Sequence, residues 1–135
     1  MIYKTSLMIL FLALFLSMAG ADTGVVLRRL IEVDFVNKLP PNHNVSVHCK
    51  SKDDDLEIHV LGPHQGYGFQ FYDSLLGNTL FFCGVTTDFG HGVYDIYTHR
   101  RDADRCTKCL WEVTQVGVYG FRKDSGSPDI YFRWA

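Results

Sequence analysis

Apolar residues recur at every second position along most of this chain, and that period constrains the fold more than any other feature. Ile31, Val33 and Phe35 alternate with Glu32 and Asp34. Val45, Val47 and Cys49 alternate with Ser46, His48 and Lys50, and Tyr67, Phe69 and Phe71 with Gly68, Gln70 and Tyr72. Successive side chains of a strand point to opposite faces, so a period of two built from β-branched and aromatic residues predicts strands with one buried face. Further strands are expected over 56–61, 79–85, 92–98, 108–115, 116–123 and 130–134. Turn chemistry separates them at Leu39-Pro40-Pro41-Asn42, Gly62-Pro63, Leu76-Gly77-Asn78, Asp88-Phe89-Gly90 and Ser125-Gly126-Ser127-Pro128. No helical period, internal repeat or linker interrupts the pattern. The expected fold is all-β, a small antiparallel β-sandwich of about eight short strands with two disulfides.

The first residues obey a different grammar. Lys4 precedes an apolar run over 7–18, and Ala19-Gly20-Ala21 offers the small residues that a signal peptidase cuts. Residues 1–21 are therefore expected to be a secretory signal peptide, too short for a comfortable membrane span, and residues 22–135 one secreted domain. No membrane insertion is expected. The mature part carries 12 Lys and Arg against 15 Asp and Glu. That mild negative balance argues against a nucleic-acid partner, which favours a basic surface.

Four cysteines fall in the mature part: Cys49, Cys83, Cys106 and Cys109. An even count in a short secreted chain reads as disulfides. Cys106 and Cys109 have zinc-finger spacing, but no second pair stands at a partner spacing, so no metal is expected. Alternation puts Cys49 on the face of Val45 and Val47, and Cys109 on the face of Trp111 and Val113. The pairing expected from those inward faces is Cys49–Cys109 with Cys83–Cys106, one of the three that four cysteines allow.

Several motifs come in a fixed order: CKSKDDDL at Cys49–Leu56, TLFFC at Thr79–Cys83, DIY at Asp95–Tyr97, RRDADRCTKCLWEV at Arg100–Val113, and the C-terminal aromatic Trp134. Together they resemble the plant self-incompatibility protein S1 family, the S-protein homologues, over about 31–134. The resemblance implies a small secreted β-sandwich with two disulfides, and a ligand for a cell-surface receptor as in the founding members of the family. It also exposes departures. A glycine commonly follows DDDL where this chain has Glu57, and Val85 and Thr87 stand where aromatics are common.

Asp53, Asp54 and Asp55 are adjacent carboxylates with no glycine until Gly62, unlike a calcium loop, whose carboxylates alternate around a central glycine. They are expected to form a solvated turn between two strands. Asn44-Val45-Ser46 is an acceptor sequence for N-glycosylation, expected at Asn44. No enzyme is expected, because the cysteines are oxidised, the six histidines are scattered, and no nucleophile elbow or zinc-protease helix is present. No cofactor is expected. The remaining reading is a monomeric binding module whose unidentified receptor is met by loops, with Phe89, His91, Arg100 and Arg101 as recognition residues. The alternative is a secreted carbohydrate-binding or defence protein using exposed aromatics such as Tyr72, Phe89 or Tyr94.

Overall fold

The alternating stretches become nine strands in a computed structural model that describes residues 28–122 and 125–135, so the expected signal peptide lies outside the described residues. The strands are β1 (Leu30–Asn37), β2 (Val45–Lys50), β3 (Asp55–Leu61), β4 (Gly66–Tyr72), β5 (Leu80–Thr86), β6 (His91–Thr98), β7 (Lys108–Val113), β8 (Gly117–Phe121) and β9 (Ile130–Arg133). One short helix, α1 (His99–Asp102), joins β6 to β7. They form a five-stranded sheet in the order β4-β1-β7-β8-β9 and a four-stranded sheet in the order β3-β2-β5-β6.

The inward faces carry the residues that the alternation singles out. Ile31, Val33 and Phe35 of β1 and Trp111 and Val113 of β7 meet Val45 and Val47 of β2 and Val85 of β5. Trp111 is fully buried, and its ring lies where a side chain at residue 120 would stand. A Cβ on Gly120 would sit 2.7 Å from that ring. All strand neighbours are antiparallel except β1 and β7, which run parallel with Glu32 opposite Lys108 and Val33 opposite Cys109. That pair departs from the purely antiparallel expectation. Parallel neighbours need a long crossover, and here the whole second sheet and α1 lie between them in sequence.

The disulfides are Cys49–Cys83 and Cys106–Cys109, which corrects the expected Cys49–Cys109 and Cys83–Cys106. Cys49 and Cys83 stand directly opposite each other on β2 and β5, with Cα atoms 4.0 Å apart. Cys109 does point inward, but from the other sheet. Opposed residues on neighbouring strands lie ~4.5–5.5 Å apart, within the reach of a disulfide, and Cys83 takes that place opposite Cys49. Parity fixes the face of a cysteine and leaves its sheet open. Cys106 and Cys109 then close the connection leading from α1 into β7.

One irregularity marks the edge strand β3. Leu56 and Glu57 together oppose Cys49, a bulge, and Glu57 adopts a φ of 69°. Left-handed backbone favours glycine, the residue the family commonly places there.

The strand order sorts the connections to two ends. The tight turns β1–β2, β3–β4, β5–β6 and β7–β8 and the C-terminal Trp134 gather at one, the turn end. The connections β2–β3, β4–β5 and β8–β9 and helix α1 gather at the other, the helix end.

Candidate recognition surface

Two turns at the turn end are built alike. In Thr87-Asp88-Phe89-Gly90 the Thr87 hydroxyl accepts from the amides of Phe89 (3.0 Å) and Gly90 (3.1 Å), while the Thr87 amide donates to the Gly90 carbonyl (2.9 Å). In Thr114-Gln115-Val116-Gly117 the Thr114 hydroxyl accepts from Val116 (3.3 Å) and Gly117 (3.2 Å), and the Thr114 amide donates to the Gly117 carbonyl (2.8 Å). A threonine that accepts from backbone amides two and three residues on fixes the turn locally. Each turn therefore presents its third residue outward: Phe89, 38% exposed, and Val116, 53% exposed.

Trp134 joins the two turns. Its indole N–H donates to the Gln115 carbonyl (2.9 Å) and its amide to the Val116 carbonyl (3.2 Å). Its ring lies against Gly90, where a Cβ would approach within 2.3 Å, so residue 90 must be glycine for the chain end to seat. On the far side of Phe89 the His43 ring packs at 4.8 Å between centroids, and His43 Nδ1 lies 2.9 Å from Asp88 Oδ2. A rim of His43, Phe89, Trp134 and Val116 thus runs across the end of both sheets. Beside it, Lys38, Leu39, Pro40, Gln115 and Tyr119 line an open cavity of about 400 Å³.

The rim rests on a buried amide. Asn37 is fully buried; the two N–H groups of its Nδ2 are shared among the carbonyls of His43 (2.9 Å), Leu61 (3.1 Å) and Gly62 (3.0 Å), and its Oδ1 accepts from the Leu39 amide (2.9 Å). One side chain therefore ties the β1–β2 connection to the β3–β4 turn. Sequence reading passed over Asn37, although its place two residues after Phe35 puts a polar group on the inward face of β1.

The helix end is organised around another buried group. The Asp102 carboxylate accepts from Arg101 Nε (2.9 Å) and Nη2 (2.7 Å), Arg105 Nη1 (3.1 Å) and the Thr98 amide (2.9 Å). Arg105 also grips Asp129 through two bonds of 2.7 Å. Burial alone lowers the Arg105 pKa, but its two carboxylates outweigh that and raise it. The Arg105 hydrogen bonds hold Asp129 below the usual carboxylate range. Both guanidiniums lie over the Trp111 ring, at 5.7 and 5.8 Å. Arg101, expected among the recognition residues, is partly exposed and holds Asp102 and the Ile96 carbonyl with its guanidinium. Arg100 is exposed beside it.

A second cavity of about 300 Å³ at this end is lined by Arg29, Asp73, Leu75, His99 and Asp104 among others. Asp73 accepts from the Tyr97 hydroxyl (3.0 Å), and His99 Nδ1 lies 2.7 Å from its Oδ2. Burial pushes Asp73 up, and the bonds from His99, Thr79 and Tyr97 more than reverse it, leaving its pKa lowered. The Tyr97 hydroxyl is raised far above its ordinary value, first by burial and then by Asp73.

The other expected sites separate. Residues 51–54 form the turn expected between β2 and β3, with the Ser51 amide donating to Asp54 O (2.8 Å) and the Asp54 amide to Ser51 Oγ (3.1 Å). Asp55 begins β3 and accepts from the Glu57 amide (2.9 Å), with His48 Nε2 2.7 Å away; these contacts lower its pKa. Among the described residues no group of three or more His, Cys, Asp or Glu is arranged to hold a metal. Nor is any helix there long and apolar enough to cross a membrane. His91 opens β6 directly after the Thr87–Gly90 turn, exposed opposite Thr86. Tyr72 is exposed with Arg28 over its ring, whereas Tyr94 is half-buried and stacks on Phe132 (5.0 Å). Asn44 is exposed immediately before β2.

Comparison with known proteins adds a family. A model described as plant self-incompatibility protein S1 matches residues 32–134. S-protein homolog 6 of Arabidopsis thaliana is 38% identical over 91 residues, 67% of this chain and 67% of that protein. S-protein homolog 24 of the same plant is 35% identical over 91 residues, 67% of this chain and 61% of that protein. Among solved structures, a self-incompatibility protein homologue, one of a "widespread family of small, highly stable, secreted proteins from plants", matches with a TM-score of 0.62. The match spans 78% of this chain and 95% of that one at 14% identity, a likeness of fold.

Proposed function

This chain belongs to the plant self-incompatibility protein S1 family of small secreted proteins, and from that premise we propose that it is a non-enzymatic ligand that a cell-surface receptor reads through the turn end. The observation that carries the reading is the pair of threonine-locked turns presenting Phe89 and Val116, with Trp134 clamped between them. Apolar side chains held outward on a fixed backbone lose little entropy when a partner covers them, and aromatic anchors dominate binding energy at such surfaces. The helix end supports the choice by contrast, because Arg101, Asp102, Arg105 and Asp129 there are paired with one another. All four cysteines are held in disulfides, and the His43–Asp88, His48–Asp55 and His99–Asp73 pairs serve to fasten loops and a strand edge.

Phe89→Ala tests the reading. Phe89 packs on His43 and lies outside the buried core, so melting temperature is expected to stay near that of the wild type. Binding to plant plasma membranes is expected to weaken by about 30-fold, roughly 2 kcal/mol for a central anchor. Unchanged binding of a normally folded variant would refute recognition at the turn end. Retention on a glycan array, with membrane binding insensitive to protease treatment of the membranes, would instead favour the carbohydrate-binding alternative.

A further inference from the structure

The geometry points to Asn44 as an N-glycosylation site whose first sugars cover an apolar strip on the outer face of the four-stranded sheet. Asn44-Val45-Ser46 is the single Asn-x-Ser/Thr sequence in the chain, with no proline at 45. Asn44 is exposed in irregular backbone just ahead of β2. Among the described residues, neither its amide nor the Ser46 hydroxyl makes a side-chain hydrogen bond, so the fold does not spend the acceptor on itself.

The face beside it carries exposed aliphatic side chains among its polar ones. Val60 lies directly opposite Ser46, and Ile58 opposite His48. The Ile58 row continues through His48 and Gly84 to Val93 of β6, and the Val60 row through Ser46 and Thr86 to His91. Val60, Ile58 and Val93 are 63%, 62% and 70% exposed, and around Gly84 the nearest atoms stand 4.0 Å from where a Cβ would be, leaving a shallow floor. Two of the three aliphatics sit on β3, an edge strand. A hydrophobic edge invites pairing with another chain unless something blunts it. Neighbouring strands lie ~4.8 Å apart, so Val60 is one strand's width from the acceptor segment. A glycan rooted at Asn44 is the one covalent cover that the sequence itself encodes within that reach.

The transfer balances as a substitution. The side-chain amide nitrogen of Asn44 attacks C1 of the first N-acetylglucosamine of a lipid-pyrophosphate-linked oligosaccharide in the secretory pathway. The new N–C1 bond replaces the C1–O bond to pyrophosphate, the lipid pyrophosphate leaves with the electron pair, and one amide proton passes to a carboxylate base of the transferase.

The test uses the full chain expressed through the secretory pathway of plant cells. Mass spectrometry of the peptide containing Asn44 is expected to show a hexosamine-based increment, absent from Asn44→Gln and from Ser46→Ala. An unmodified Asn44 in the secreted protein would overturn the site. The cover is tested on protein that has already folded, by removing the glycan with an amidase that tolerates core fucose and measuring sedimentation against concentration. The stripped protein is expected to self-associate, and Ile58→Thr with Val60→Thr to restore the monomer. Stripped protein that stays monomeric over the same range, or associates regardless of those two substitutions, would overturn the covering role. Neither readout involves a receptor, so the outcome is independent of the ligand reading.

Discussion

Replacing Asp102 by alanine should destabilise this protein more than any other single loss of charge. The carboxylate is fully buried and accepts four hydrogen bonds, three of them from guanidinium groups. Removing one partner of a buried ion pair costs ~3–5 kcal/mol, mostly through the charge left behind. Here the two stranded cations differ. The Arg105 side chain is nearly buried, so it bears the penalty, though its two hydrogen bonds to Asp129 survive. Arg101 is partly open to water and recovers some solvation. The buried Thr98 amide bond is lost as well. A total of roughly 3–4 kcal/mol follows, a large fraction of the ~5–15 kcal/mol that typically holds a domain together. Urea unfolding followed by the fluorescence of Trp111, over which both arginines lie, should show the midpoint falling with an unchanged slope. Asp129→Ala, at the more exposed side of the network, should cost ~1 kcal/mol. Equal losses from the two variants, or a loss under ~1 kcal/mol for Asp102→Ala, would refute the idea that the buried carboxylate is the hub.

Glu57→Gly should stabilise the fold by ~1 kcal/mol in the same assay, because it relieves a left-handed residue in the β3 bulge; a loss of stability would show that the Glu57 side chain matters more than its backbone. Removing the Cys49–Cys83 bridge by paired serine substitution should cost ~4 kcal/mol and removing Cys106–Cys109 ~2 kcal/mol, since the first closes a far longer loop; the reverse order would mean that strain or local packing outweighs chain entropy. Asp129 and Asp73 have folded-state pKa values below the ordinary 3.8, so their contribution is complete above that value and is lost as pH falls through the lower folded values. Melting temperature should therefore hold from neutral pH to about 5 and drop below about 4, with a shallower drop in Asp129→Asn; an equally steep drop in that variant would exclude Asp129 as a source.

The sandwich was legible because alternation reports which face of a strand is buried, and in β1, β2 and β7 nothing competes with that signal. The motifs were legible too, and the family model matches nearly the same stretch that they span. What alternation does not report is which strands are neighbours. The parallel pairing of β1 with β7 and the partner of Cys49 both depend on sheet order, which is set by contacts distant in sequence. The charged run Arg100–Arg105 reads as a turn held by internal ion pairs, and Asp102 does pair with Arg101 and Arg105. The full burial of its carboxylate depends on packing against elements distant in sequence, which a run of charges read along the chain does not report. Phe89 is held at the surface by the Thr87 turn and the His43 ring, neither of which alternation along the chain reports.

The central position of β1 has a consequence for biosynthesis. Its parallel neighbour β7 begins at Lys108, so during translation the first strand of the domain stays without one of its two hydrogen-bonded flanks until most of the chain has emerged. Its other flank, β4, arrives earlier, but a two-stranded ribbon is marginal in water. The second sheet, by contrast, is complete once β6 is made, and Cys49 and Cys83 are both available to cross-link it by then. The nascent chain thus passes through a stage with one oxidised half and one unfinished half, whose inward residues Ile31, Val33 and Phe35 await Trp111. Topologies of such high contact order fold slowly. A chain arrested before residue 108 should therefore remain bound to lumenal chaperones, and release should coincide with the arrival of β7.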